Sequence, residues 1–312
     1  MPPSGVLAVE AGDGHAVVAG VGTNQGLWHS YGIPDGLASG RVYAILQSQE
    51  GALWLGTNGG LSRYDGRRFE NFAVDDGLAN NVVRALITDR QGAVWAGTLG
   101  GVGAYDGEGF KTYTTADGLA SNVIHALFED REGVLWLGTD GGLSRYNGIY
   151  FSTYTAADGL GHDIGHVLVE DEAGQLWLGT GGGASVYDGE VFKTYKTADG
   201  LAHNVVRALM EDGAGNIWLG TDGGASVYDG FAFQRLLKRE GLASNEVSAL
   251  AADRRGDVWV ATSGGGVTRY QRRPTPPGIA LMDVVSDKRH GGVSLYTYHP
   301  AVARLRIPRT QL

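Results

Sequence analysis

The sequence predicts an all-β fold, a β-propeller of four-stranded antiparallel blades, and three observations predict it. Six tryptophans, Trp54, Trp95, Trp136, Trp177, Trp218 and Trp259, each follow the last by 41 residues. A fixed period of that length means one supersecondary unit copied several times. Each copy breaks into four short β-rich runs separated by Gly and Asp turns, and no run shows helical periodicity. Hairpin turns within every copy favour antiparallel sheets stacked radially over a parallel solenoid coil.

The copy beginning at Asp76 shows the elements in order. Strand A is expected over Val83–Thr88, strand B over Val94–Thr98, strand C over Val102–Tyr105 and strand D over Phe110–Tyr113. Asp89-Arg-Gln-Gly92 joins A to B with Asp first and Gly last, the pattern of a type I turn. Asp106-Gly107 joins C to D, a strong hairpin signal. The tryptophans are the expected wedges between neighbouring blades. Full repeats, numbered 1 to 6, start at Asp35, Asp76, Asp117, Asp158, Asp199 and Glu240.

The two ends depart from this pattern. Val6 to Gly20 lies without gaps over Val83 to Gly97, with Val18 in the tryptophan position, and Trp28 to Tyr31 falls in phase with Phe69 to Phe72. Repeat 6 stops after strand C at Tyr270. If Trp28 to Tyr31 supplies the missing strand D, the ring closes with six blades. If Val6 to Tyr31 forms a thin blade of its own, there are seven, and the ungapped match favours seven with a degenerate first one. The propeller is expected over residues 1–271, in repeats starting near 6, 35, 76, 117, 158, 199 and 240, followed by a Pro-rich linker at 272–278. In 279–312, strands are expected at Ile279 to Val285 and Val293 to Tyr298, in a tail too short to fold as an independent domain.

Composition narrows the function. The net charge of −9 over 312 residues speaks against a nucleic-acid surface, which needs a basic stripe. No cysteine is present, which removes disulfides, thiol catalysis and Cys-based metal sites. No signal peptide is visible at the N-terminus and no apolar run reaches transmembrane length. The chain is then either cytoplasmic or a fragment without its targeting signal. Catalytic motifs are missing too: there is no Gly-Lys dipeptide, no H-E-x-x-H, no G-x-S-x-G and no EF-hand loop. Gly179 to Ala184 satisfies G-x-G-x-x-A but lies in a hairpin loop with no following helix.

Copies within one chain can be compared with one another. Fixed columns serve the blade, and variable exposed columns are free to serve a ligand. Strand A of a propeller lines the central channel, so the D–A and B–C loops share one face. Three columns vary there. At the start of strand A run Tyr43, Arg84, His125, His166, Arg207 and Ser248. Before it run Ser39, Asn80, Ser121, His162, His203 and Ser244. In the B–C loop run Asn58, Leu99, Asp140, Gly181, Asp222 and Ser263. From these, Tyr43, Asn80, Arg84, His125, Asp140, His162, His166, His203, Arg207 and Asp222 form the candidate ligand-binding set. Such groups can hydrogen-bond sugar hydroxyls or pair with a carboxylate. The plainer reading is a solvated rim.

The recurring Asp76, Asp117, Asp158 and Asp199 are each followed by Gly-Leu, which is turn chemistry. Asn81, Asn122, Asn204 and Asn245 are read as satisfying loop backbone groups. No metal or cofactor is expected: His162 and His166, four residues apart on extended chain, lie roughly 13 Å apart.

The motifs Asp117-Gly-Leu-Ala-Ser-Asn122, Asp130 to Thr139 and Gly141 to Gly148 resemble the two-component regulator propeller repeat, well over 35–270 and weakly over 6–34. The resemblance implies a ligand-sensing, non-enzymatic module of a bacterial hybrid two-component receptor, placed in the periplasm. It implies a small polar ligand, such as an oligosaccharide, and a downstream signalling domain or protein after Arg273. Pro276 to Val285 is similar to the start of the β-sandwich that follows such propellers, so 279–312 is read as the truncated start of that domain or an unstructured tail. The rival readings are a metal-assisted lyase using a His base, and a scaffold binding proteins by blade edges.

Overall fold

A computed structural model describes residues 8–10, 15–19, 26–271, 283–287, 292–296 and 305–307. The chain divides into two compact parts, Met1–Tyr270 and Gln271–Leu312.

In the first part, strand formation follows the turn residues closely. The four strands of repeat 2 are Val83–Thr88, Val94–Thr98, Val102–Tyr105 and Phe110–Tyr113, as the sequence predicts. They form one antiparallel sheet in the order A-B-C-D, and repeats 3, 4 and 5 have the same sheet. Repeat 6 has strands A to C. Strand A of each full repeat lies against strand A of the next, from repeat 1 to repeat 6.

The fixed columns each have a structural duty. In Asp-Gly-Leu the Asp ends a single 3-10 turn and accepts a backbone N–H from three residues earlier: Asp117 Oδ2 takes the Thr114 N–H at 2.8 Å. Gly118 has φ +103°, a left-handed conformation that disfavours any side chain. Leu119 then enters the core, 4% exposed. Asn122 Oδ1 accepts the Thr115 N–H at 2.8 Å, and Asn81, Asn204 and Asn245 do the same in their repeats. The recurring carboxylates and amides are therefore turn and loop groups, as expected.

Strand B carries the wedge. Trp95 stacks on Tyr113 of its own repeat with ring centroids 5.8 Å apart, and meets Tyr146 of the next repeat at 5.6 Å. Its indole N–H donates to Asp89 Oδ2 at 2.7 Å. The same Asp–Trp bond recurs at Asp130–Trp136, Asp171–Trp177, Asp212–Trp218 and Asp253–Trp259. The Asp of the A–B turn thus closes its turn and also satisfies the one polar atom of the wedge. The Gly-Thr after it allows close stacking: a side chain on Gly97 would collide with Ile124 of the next repeat, 2.7 Å from its β-carbon position. Thr98 Oγ1 donates to the Gly101 carbonyl at 2.7 Å, closing the B–C loop.

On the face opposite the candidate site, neighbouring repeats are latched by glutamates. Glu129 accepts the Arg90 N–H, Glu170 the Arg131 N–H and Glu211 the Glu172 N–H, each from the preceding repeat's A–B turn.

The N-terminal strands divide. Ala8–Glu10 pairs with the outer strand of repeat 1, Arg68–Phe72, making that sheet five-stranded. His15–Ala19 pairs with Gly26–Ser30 as a separate hairpin. Among the described residues, the six-blade closure, in which Trp28 to Tyr31 would pair with Gly266–Tyr270, is not formed, and neither is a four-stranded sheet from 6–31. Tyr31 nonetheless keeps the repeat phase. It meets Tyr64 and Phe69 at 5.4 and 5.7 Å, as Phe72 meets Tyr105 and Phe110 one period later at 5.2 and 5.5 Å.

The second part holds a three-stranded antiparallel sheet of Asp283–Asp287, Gly292–Tyr296 and Leu305–Ile307. Of the strands expected at Ile279 to Val285 and Val293 to Tyr298, residues 283–285 and 293–296 are strand, and 279–282 and 297–298 lie outside the described residues. The Pro-rich stretch 272–278 lies outside the described residues. Among the described residues, no helix is long and apolar enough to cross a membrane.

Candidate functional site

Strand A does not pair evenly with strand B. In repeat 3, Ile124 opposes Thr139 and Ala126 opposes Gly138, so His125 between them is the extra residue of a β-bulge. The same register shift falls at Tyr43, Arg84, His166, Arg207 and Ser248. One of the three variable columns therefore consists of bulge residues, one per repeat. A bulge residue is left out of the ladder and its side chain is re-aimed, a device common beside functional sites.

These side chains meet across repeats. His125 Nε2 lies 2.6 Å from Asp140 Oδ1 in the same repeat. Arg84 Nη1 lies 3.5 Å from His125 Nδ1. With the Nε2 proton donated to Asp140, Nδ1 accepts from Arg84, so one neutral tautomer satisfies both contacts. The rings of His125 and His166 are 6.1 Å apart. Arg207 makes two hydrogen bonds to the Asp222 carboxylate, one of them Nη2 to Oδ2 at 2.9 Å. This pair lowers the Asp222 pKa and raises that of Arg207. His166 is held below its ordinary pKa by burial first, then by its neighbours His125 and Arg207.

Arg84, His125, Asp140, His166, Arg207 and Asp222 thus form a line of polar groups across four adjacent repeats. The remaining predicted residues stand differently. Tyr43 is a bulge residue with the Arg41 guanidinium 5.1 Å from its ring centroid. Asn80 Oδ1, His162 Nδ1 and His203 Nδ1 each accept the backbone N–H two residues on, from Val82, Ile164 and Val205. That column pins the loop entering strand A and has only its outer atoms left for a ligand. Two groups escaped the sequence reading. Arg41 and Glu246 occupy a column that is otherwise Val82, Val123, Ile164 and Val205, and Glu246 adds its charge to the field on Arg207. A charge in an apolar column was the available signal. Among the described residues, no three His, Asp or Glu side chains are grouped so as to hold a metal ion.

The Two component regulator propeller family matches residues 36–59, 77–100, 118–141, 200–223 and 241–264, which takes in every full repeat except repeat 4. No curated protein sequence matches the chain. Among solved structures, it is similar to the extracellular domain of a hybrid two component system of B. thetaiotaomicron, with 21% identity, TM-score 0.54, and coverage of 94% of this chain and 48% of that one. It is similar to PorZ, a surface component of the type-IX secretion system of Porphyromonas gingivalis, with 15% identity, TM-score 0.60, and coverage of 89% and 48%. A third is virginiamycin B lyase of Staphylococcus aureus, with 14% identity, TM-score 0.57, and coverage of 82% and 92%. The chain spans about half the length of the first two. At these identities the likenesses establish the fold, a β-propeller. The recurring motifs and the family match together identify repeats 1, 2, 3, 5 and 6 as two-component regulator propeller repeats.

Proposed function

We propose that this chain is the ligand-sensing propeller of a bacterial hybrid two-component receptor, acting outside the cytoplasm and binding a small polar ligand, such as an oligosaccharide, at the channel mouth. One observation carries the site: a bulge repeated at one position in every full repeat presents Arg84, His125, His166 and Arg207 side by side, free of ladder duty. The family match and the likeness to an extracellular two-component domain support the sensing role and the location. Binding would act on a downstream signalling domain or protein by changing how the propeller positions it after Arg273. Glycan-array and calorimetric binding to the chain tests this. A hit that weakens on Arg84→Ala or Arg207→Ala supports the site, and one that both variants bind unchanged moves it elsewhere.

A further inference from the structure

Each bulge residue is followed 15 residues later by a B–C loop position, and the pairs differ in whether they close on themselves. His125 is matched by Asp140 and Arg207 by Asp222, and both pairs are hydrogen-bonded. Arg84 is matched by Leu99, which has no acceptor side chain, and His166 by Gly181, which has no side chain at all. The two carboxylates of the column are therefore already engaged. Arg84, an exposed cation, has a ring nitrogen of His125 as its side-chain contact.

From this the geometry points to a carboxylate-bearing ligand, with Arg84 as its charge partner and the His166 imidazole, one repeat beyond His125, as a second hydrogen-bonding group. The inference rests on the channel mouth being the ligand site. A guanidinium binds a carboxylate through charge-assisted, bidentate bonds, which exceed in strength a single contact to an imidazole nitrogen. The ligand acid would therefore displace the His125 contact. Asp140 and Asp222 repel an anion from repeats 3 and 5, and repeat 2 presents Leu99 where they stand. His166 stays neutral through burial and its neighbours, so it offers one N–H and one lone pair instead of a second positive charge. Repeat 4 points the same way from sequence: it is the full repeat outside the family match, and it carries Gly165, His166 and Gly181. A side chain on Gly165 would come 3.1 Å from the Gly138 Cα of repeat 3, so its absence lets strand A of repeat 4 lie close to its neighbour.

The test uses matched acids and neutral polyols on the full chain: glucuronate against glucose, and gluconate against glucitol. Calorimetry and the histidine ring resonances report binding. The acids are expected to bind and to shift His125 and His166, while their neutral partners do neither. Arg84→Gln is expected to weaken the acids about tenfold or more. Lys111→Gln, on an outer strand, serves as a charge control and is expected to change nothing. Equal binding of acid and neutral members, with the histidine shifts retained, would overturn the carboxylate assignment and leave the ligand site standing. Acid binding untouched by Arg84→Gln would also overturn it. No binding and no shift by any of the four would remove both.

Discussion

Repeats 3 and 6 carry nearly the same motif and live in different surroundings. Trp136 is 3% exposed, held between Tyr154 of its own repeat and Tyr187 of the next. Trp259 has the same Asp partner and the same place in strand B, and it is 40% exposed. The opposite edge matches: Ile45 on strand A of repeat 1 is 70% exposed, where Leu127 in repeat 3 is largely covered. The motif therefore does not hold a repeat together by itself. Its stability comes from the interface with the following copy, as in other arrays whose energy is a sum of repeat and nearest-neighbour terms.

The largest test of that contrast is Trp136→Ala against Trp259→Ala. The first removes a filled wedge and should cost about 3–5 kcal/mol, the second well under half of that, read as midpoints of denaturant unfolding. Equal losses would place the energy in the motif after all. Next comes Asp130→Ala, which strands the buried indole N–H of Trp136. It should cost about 1–3 kcal/mol, with a visibly smaller loss for Asp253→Ala. Gly118→Ala, at φ +103°, should cost about 1 kcal/mol. That value should not depend on the neighbouring repeat, so it calibrates what a purely local change does.

A smaller effect is expected from pH. His166 titrates below its ordinary 6.5 in the folded chain, so between the two values the unfolded chain binds more protons. Stability should then fall as pH drops through 6.5, and His166→Gln should flatten that part of the profile. A steeper profile in the variant would show the sign to be wrong. Smallest of all is Arg84→Gln, which should leave the unfolding midpoint within about 0.5 kcal/mol of wild type while changing what the channel mouth binds.

Much of the fold was legible because short strands between Gly and Asp turns leave little choice of boundary. The four strands of repeat 2, the turn role of Asp117 and the loop role of Asn122 can all be read locally. The columns of the candidate site were legible too, through variation between copies. The features that escaped are set by pairing between strands. The bulge has no residue signature, since Tyr, Arg, His and Ser all occupy it, and it exists only in the register of strand A against strand B. Likewise, nothing in Ala8 to Glu10 itself announces the outer edge of repeat 1 as its partner. The Asp–Trp bond went unpredicted although repeats 2 to 6 carry Asp six residues before Trp, and a buried indole N–H needs an acceptor.

The bulge has an evolutionary consequence. At one residue per repeat, the side chain is released from the ladder and from the core, so substitution there leaves folding almost untouched. Under the proposed function, the array can then change what it recognises at these positions while the turns and wedges of each copy are kept. A gene duplicated unit by unit inherits six such letters, one at the same place in strand A of each copy.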